Sequence, residues 1–113
     1  MKEGDILLAA LRQADGTLKL RPVLFLKRVP PFQDFLVCGI STQLQHKVSN
    51  FDELINADVA DYRESGLKRP SIVRIGYLAV LPRNEFQGRI GSITTDRLNR
   101  ILSTLSDFFR PKT

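Results

Sequence analysis

A single cysteine, Cys38, rules out an internal disulfide and fits a chain that works in a reducing cytosol. A single histidine, His46, rules out a two-histidine acid–base pair within one chain. No Cys/His cluster has zinc spacing, no glycine-rich loop offers a phosphate cradle, and no serine sits in a nucleophile elbow. No apolar run is long enough to cross a bilayer, and Met1-Lys2-Glu3-Gly4-Asp5 lacks the charged-then-apolar layout of a signal peptide. Internal repeats, low-complexity tracts and linkers are missing too. What remains is the expectation of a soluble, cytoplasmic chain with no membrane partner. Any catalysis must fall on Arg, Lys, Ser, Thr, Asp, Glu and the one histidine.

The 113 residues suit one domain, 1–113, and a 42% hydrophobic content supports an ordinary core without a metal or disulfide framework. Charge says more. Seventeen Lys and Arg face twelve acids, for a formal net charge of +5 and a pI near 9.8. Such a surface attracts a polyanion (nucleic acid, an acidic protein tail or an anionic membrane face), or is simply a solvated basic face.

The first half reads as strands and tight turns. Asp5 to Leu11 is an apolar run that suits a buried strand, and Ala14-Asp15-Gly16-Thr17 carries the Asp-Gly turn signal. Leu18 to Val29 supplies the returning strand. Pro30-Pro31 breaks it by removing ladder donors, Phe35 to Ile40 restarts it, and Ser41-Thr42-Gln43 ends it. Asn56 to Ser65 reads as a helix with Asn56 and Asp58 as capping candidates and Gly66 at its C-terminus. Ser71 to Ile75 and Tyr77 to Leu81 are two short strands, or one strand bent at Gly76. The C-terminus is a helix capped by Thr94, with Asp96 in its first turn. Its apolar face is Leu98, Ile101, Leu102, Leu105, Phe108 and Phe109; Arg97, Asn99, Arg100, Ser103, Thr104 and Asp107 lie opposite. The sum is a mainly β chain: a small, strongly bent antiparallel sheet closed or covered by a terminal helix.

Three stretches carry candidate chemistry. Arg21 stands before Pro22 and an apolar strand; at a barrel mouth its planar fork suits a phosphate, and otherwise it is a surface arginine. Ser41, Thr42 and Gln43 set hydrogen-bonding groups at a strand end, where they suit a phosphate oxygen or ribose hydroxyl, or ordinary turn chemistry. Arg74 falls on the same face as Ile72, and a cation on an apolar face is costly unless paired, so it is expected to open onto a groove. Lys68 and Arg69 read as plain solvated charge.

The order of these pieces carries a resemblance. Gly4-Asp5-Ile6-Leu7, Arg21-Pro22-Val23-Leu24, Ile40-Ser41-Thr42-Gln43, and Gly66-Leu67 with Pro70-Ser71-Ile72-Val73-Arg74 resemble, over nearly the whole chain, the PemK/MazF toxin family. The resemblance implies a small SH3-like barrel with a short middle helix and a C-terminal amphipathic helix, paired as a homodimer. It implies a type II toxin that cuts single-stranded RNA without a metal or other cofactor and is silenced by an acidic antitoxin. By resemblance Arg21 grips the scissile phosphate, Ser41 takes the place of a catalytic hydroxyl with Thr42 beside it, and Arg74 matches a transition-state arginine. Thr42 and Gln43 are auxiliary RNA-binding candidates.

The sequence also departs from the family. One branch carries an acid two residues beyond the arginine matched by Arg74, where this chain has Gly76. That branch has a histidine in the first hairpin loop, where Asp15 stands here, and a further common arginine falls near Ala79. Asp15 and His46 are the nameable general bases. The departures leave two rivals to an endoribonuclease: a degenerate module that binds RNA or antitoxin without cutting, and a plain SH3-like protein-interaction domain.

Overall fold

The computed structural model describes residues 1–112. The strands are β1 (Asp5–Arg12), β2 (Leu18–Val29), β3 (Asp34–Ser41), β4 (Glu53–Ile55), β5 (Ser71–Leu81) and β6 (Phe86–Ser92); the helices are α1 (Tyr62–Ser65) and α2 (Thr95–Phe109). One antiparallel sheet holds all six strands in the order β4-β5-β3-β2-β1-β6. The hairpin turn falls at Asp15-Gly16, where Gly16 has φ +89°.

The apolar runs are continuous because the sheet buries both faces. Ile6, Leu24, Leu26, Cys38, Ile40, Val73 and Ile75 pack under Ile101 and Leu105 of α2. Their sequence neighbours Leu7, Val23, Phe25 and Val37, with Phe35, build a second cluster on the other face. There Phe35 stacks on Phe25 at 3.8 Å and meets Phe86 at 5.1 Å. Phe86 belongs to the edge strand β6, three strand positions from β3, or about 14 Å across a flat sheet. That contact requires the sheet to curl. Register shifts at Ile6/Leu7, Leu8/Ala9, Phe25/Lys27 and Cys38/Gly39 provide the bending. The fold is mainly β, a curled half-barrel with α2 laid across one face.

Several expectations need correction. The middle helix is only Tyr62–Ser65. Asn56 does not cap it; its side-chain carbonyl accepts the Asp58 N–H at 3.2 Å, a local turn that competes with helix. Gly66 does terminate it, at φ +72°. The second alternative holds for β5, which is one strand with an interruption around Gly76. Strands β4 and β6 were not anticipated: β4 is three residues long, and β6 carries Gly88 and Gly91 among few apolar residues.

Helix α2 begins where expected, with Thr94 Oγ1 accepting the Arg97 N–H at 3.2 Å. Its faces differ from the expectation at two places. Arg97 is buried, not solvent-facing: its guanidinium donates to both Asp61 oxygens at 2.8 and 3.0 Å and to Glu53 Oε1 at 2.8 Å. Phe108 and Phe109, assigned to the apolar face, are 57% and 60% exposed, although Phe108 touches Phe51. The helix runs past the edge of the core it covers.

Candidate nucleic-acid interface

The candidate residues sit where three strands run side by side. Val23 of β2 pairs with Gly39 of β3, and Gly39 pairs with Arg74 of β5, so these three share one face. Two residues along, Ser41 pairs with Ile72, and the β2–β3 ladder stops at Val23 and Gly39. Arg21 and Ser41 therefore flank the place where β2 and β3 part, on the face that carries Arg74. From Ser41 to Arg74 is one strand and two residues, about 8 Å between Cα atoms.

Each side chain is held differently. Arg21 is exposed, and its guanidinium donates to Gln13 Oε1 at 3.1 Å across the hairpin. Four of its five donors have no protein hydrogen-bond partner among the described residues. Ser41 Oγ accepts the Gln43 N–H at 3.0 Å, a turn contact that leaves the hydroxyl proton free to donate. Gln43 accepts from the Gln45 amide at 2.8 Å, and Thr42 is exposed in the same turn. His46 lies exposed at the end of a 3-10 turn over Leu44–His46, in the segment that leaves β3 after Ser41.

Asp15 sits at the tip of the β1–β2 hairpin with local partners only. Thr17 donates to its carboxylate through the hydroxyl at 2.7 Å and the amide at 3.0 Å, and these bonds hold its pKa below the ordinary carboxylate value. Stabilising the anion makes it a weaker base. Cys38, one residue from Gly39, is no nucleophile: burial, with Asp52 nearby, pushes its thiol up to about 12.

Arg74 occupies the most elaborated part of the face. Between the pairs Cys38–Leu78 and Gly39–Arg74, a single step on β3 faces the whole stretch Ile75-Gly76-Tyr77 on β5. This excursion is anchored from below. The Ile75 N–H donates to buried Asp52 at 3.1 Å, and the other Asp52 oxygen accepts the Val48 N–H at 3.0 Å. The Arg74 guanidinium lies 4.8 Å from the Tyr77 ring centroid. The ring rests against Gly39, where a Cβ would come within 3.0 Å of it. Beside them lies a groove of about 230 Å³ lined by Val48, Phe51, Asp52, Arg74, Gly76 and Tyr77. Arg74 thus opens onto a groove, as its place among apolar residues implied.

Sequence reasoning did not single out Asp52, Phe51 or Tyr77. The local signal that could have found Tyr77 is Gly39, a glycine inside a strand, which marks a close approach; the Asp52–Ile75 contact spans 23 residues and has no local signature.

A family model described as PemK-like, MazF-like toxin of type II toxin-antitoxin system matches residues 2–109. Among solved structures, the Mycobacterium tuberculosis toxin MazF-mt6 is similar, with a TM-score of 0.65 and 22% identity over 96% of this chain and 99% of that one. At that identity the likeness speaks for the fold. A comparison with curated proteins found no match.

Proposed function

Since this chain belongs to the PemK/MazF family of type II toxins, we propose that it is an endoribonuclease that cleaves single-stranded RNA through attack of a ribose 2′-hydroxyl. The observation that carries the reading is the shared face of Arg21, Ser41 and Arg74 across β2, β3 and β5. In such a reaction the 2′-hydroxyl gives its proton to a base as its oxygen bonds to the adjacent phosphorus, and the 5′-oxygen leaves and takes up a proton. The products are a 2′,3′-cyclic phosphate and a 5′-hydroxyl. Negative charge gathers on the equatorial oxygens of the phosphorane, where preorganised donors act most strongly. Arg21, with its free donors, grips the phosphate; the Ser41 hydroxyl donates to an oxygen; Arg74 meets the developing charge, with Thr42 and Gln43 holding the strand nearby. The protein pairs with itself and is silenced by an acidic antitoxin over this face. No helix of the described residues is long and apolar enough to cross a membrane.

This reading gives the charge stabilisation to arginine rather than to a metal. The test is incubation of single-stranded RNA with the purified chain in EDTA, with analysis of the product ends. Cleavage leaving 5′-hydroxyls is the expected result; cutting that requires added Mg²⁺ would overturn the mechanism.

A second reading, a module that binds RNA or antitoxin without cutting, is favoured by the absence of an evident base. Gly76 occupies the position of an acid, and the Asp15 anion is stabilised by Thr17. RNA binding without product in the same assay would establish it.

A further inference from the structure

The groove beside Arg74 has features that phosphate chemistry does not call for. Tyr77 is a large aromatic side chain left 63% exposed, in an excursion that interrupts the β3–β5 ladder. An excursion that only relieved strain would not need its own buried anchor, yet Asp52 holds it through the Ile75 N–H and is itself fixed by the Val48 N–H. Gly39 clears the space in which the Tyr77 ring lies, and Arg74 stacks on that ring. A flat aromatic surface, an arginine and the apolar side chains of Val48 and Phe51 border one groove. These are the components with which proteins stack unpaired bases.

We propose that this groove is a nucleobase subsite, with Tyr77 as its stacking platform, which fixes the position of single-stranded RNA relative to Ser41 and Arg21. It rests on the RNA-cleaving reading above and adds the element that chooses where the strand lies. Arg74, which borders the groove, lies about 8 Å along the face from Ser41, so a base seated there keeps the adjoining strand beside the Ser41 hydroxyl. The groove also has a preference. Asp52 lines it, and its two oxygens each accept one backbone N–H and retain further acceptor capacity. An acceptor-only edge selects a base with an exocyclic amine, cytosine over uracil.

The proposal is tested by binding rather than by cleavage, using the full chain and 2′-O-methyl oligonucleotides, which lack the attacking hydroxyl. Fluorescence anisotropy at one fixed salt concentration gives Kd for oligo-C, oligo-U and an abasic strand of equal length. Tyr77→Ala is expected to weaken oligo-C by roughly 5- to 150-fold and to leave the abasic strand unchanged. Tyr77→Phe retains the platform and wild-type affinity. Gly39→Ala, which pushes a methyl against the ring, weakens oligo-C as well. Oligo-C binds about fivefold or more tighter than oligo-U. Because Tyr77 is mostly exposed, its variants are expected to melt like wild type.

If Tyr77→Ala leaves oligo-C binding unchanged, the base site is wrong and the groove is left to another occupant, such as a peptide side chain. Equal weakening of oligo-C and the abasic strand also overturns it, since the ring would then act only through Arg74 and phosphate. Equal affinity for C and U strands removes the amine contact. Failure of the wild-type chain to bind any strand would instead sink the RNA reading as a whole.

Discussion

Arg21 and Arg97 are both arginines on elements that face the core, yet their surroundings give them opposite parts. Arg97 has its guanidinium filled by Asp61 and Glu53, whereas Arg21 has one neutral partner, Gln13. Arg21→Ala should therefore leave the melting temperature near wild type and lower single-turnover cleavage roughly a hundredfold or more. Arg21→Lys should recover only part, because an ammonium keeps the charge and loses the two-pronged geometry. Ser41→Ala should also impair cutting, and Thr42→Ala less, since Thr42 lies beyond the strand end. Wild-type cleavage by Arg21→Ala would hand the chain to the non-cutting reading. At this scale the sequence picks out candidates where polar side chains adjoin apolar runs: Arg21-Pro22 ahead of Val23 to Leu26, Ser41-Thr42 after Ile40, and Arg74 among isoleucine and valine. Arg97 was misplaced because helical periodicity ranks it with polar neighbours; only its distant partners reveal that it is buried.

Those partners organise the elements. Glu53 of β4 and Asp61, just before α1, both hold Arg97 of α2, and Arg100 adds bonds to Glu53 at 2.7 and 2.9 Å. The network fastens the terminal helix to segments more than 30 residues upstream. Removing Arg97 leaves Asp61 buried without a counter-charge, so Arg97→Ala should cost about 3 kcal/mol or more. Adding Asp61→Asn to Arg97→Met should recover much of it. The network is also acid-sensitive. Glu53 is held below its ordinary value of 4.5 by hydrogen bonds from Arg100, joined by Arg97. Burial works against the Asp61 anion, but bonds from Arg97 and the Thr94 amide outweigh it and keep its pKa below 3.8. The native state thus binds fewer protons than the unfolded chain near these values. The stabilisation is complete above about pH 5 and lost as the pH falls through 4 and below. Thermal melts from pH 7 to 3 should show this loss, and it should shrink in the Arg97→Met, Asp61→Asn chain. Long elements were legible from apolar runs and turn residues, and the start of α2 from Thr94. The three-residue β4 and glycine-bearing β6 were not, because pairing with distant strands rather than their own pattern makes them strands.

Over the whole molecule, the imbalance of charge becomes one of distribution. Of the 17 Lys and Arg, Arg89, Arg97, Arg100 and Arg110 have a described carboxylate within 4.0 Å. The others, including Arg12, Lys19 and Arg21 on the first hairpin and Lys68 and Arg69 before β5, present unneutralised charge. A curled sheet that buries both of its faces leaves such residues on strand ends and connections, the same region where β2 and β3 part. The field should thus draw a polyanion without specifying its sequence. RNA affinity should fall steeply with salt, with a log–log slope of about −0.7 per phosphate contacted on a single strand. Lys68→Ala and Arg69→Ala should each weaken binding evenly across RNA sequences; a variant that removes a phosphate contact lowers the slope by about 0.7. Tyr77→Ala should leave the slope as it is. An acidic antitoxin segment competing for the same face should obey the same dependence, with its complex loosening as ionic strength rises from about 0.05 to 0.5 M. Titrations of RNA and antitoxin across that range decide the matter. Affinities that do not move with salt would mean that both partners are held by the exposed apolar residues, Tyr77, Phe108 and Phe109 among them, and that the basic surface is incidental to recognition.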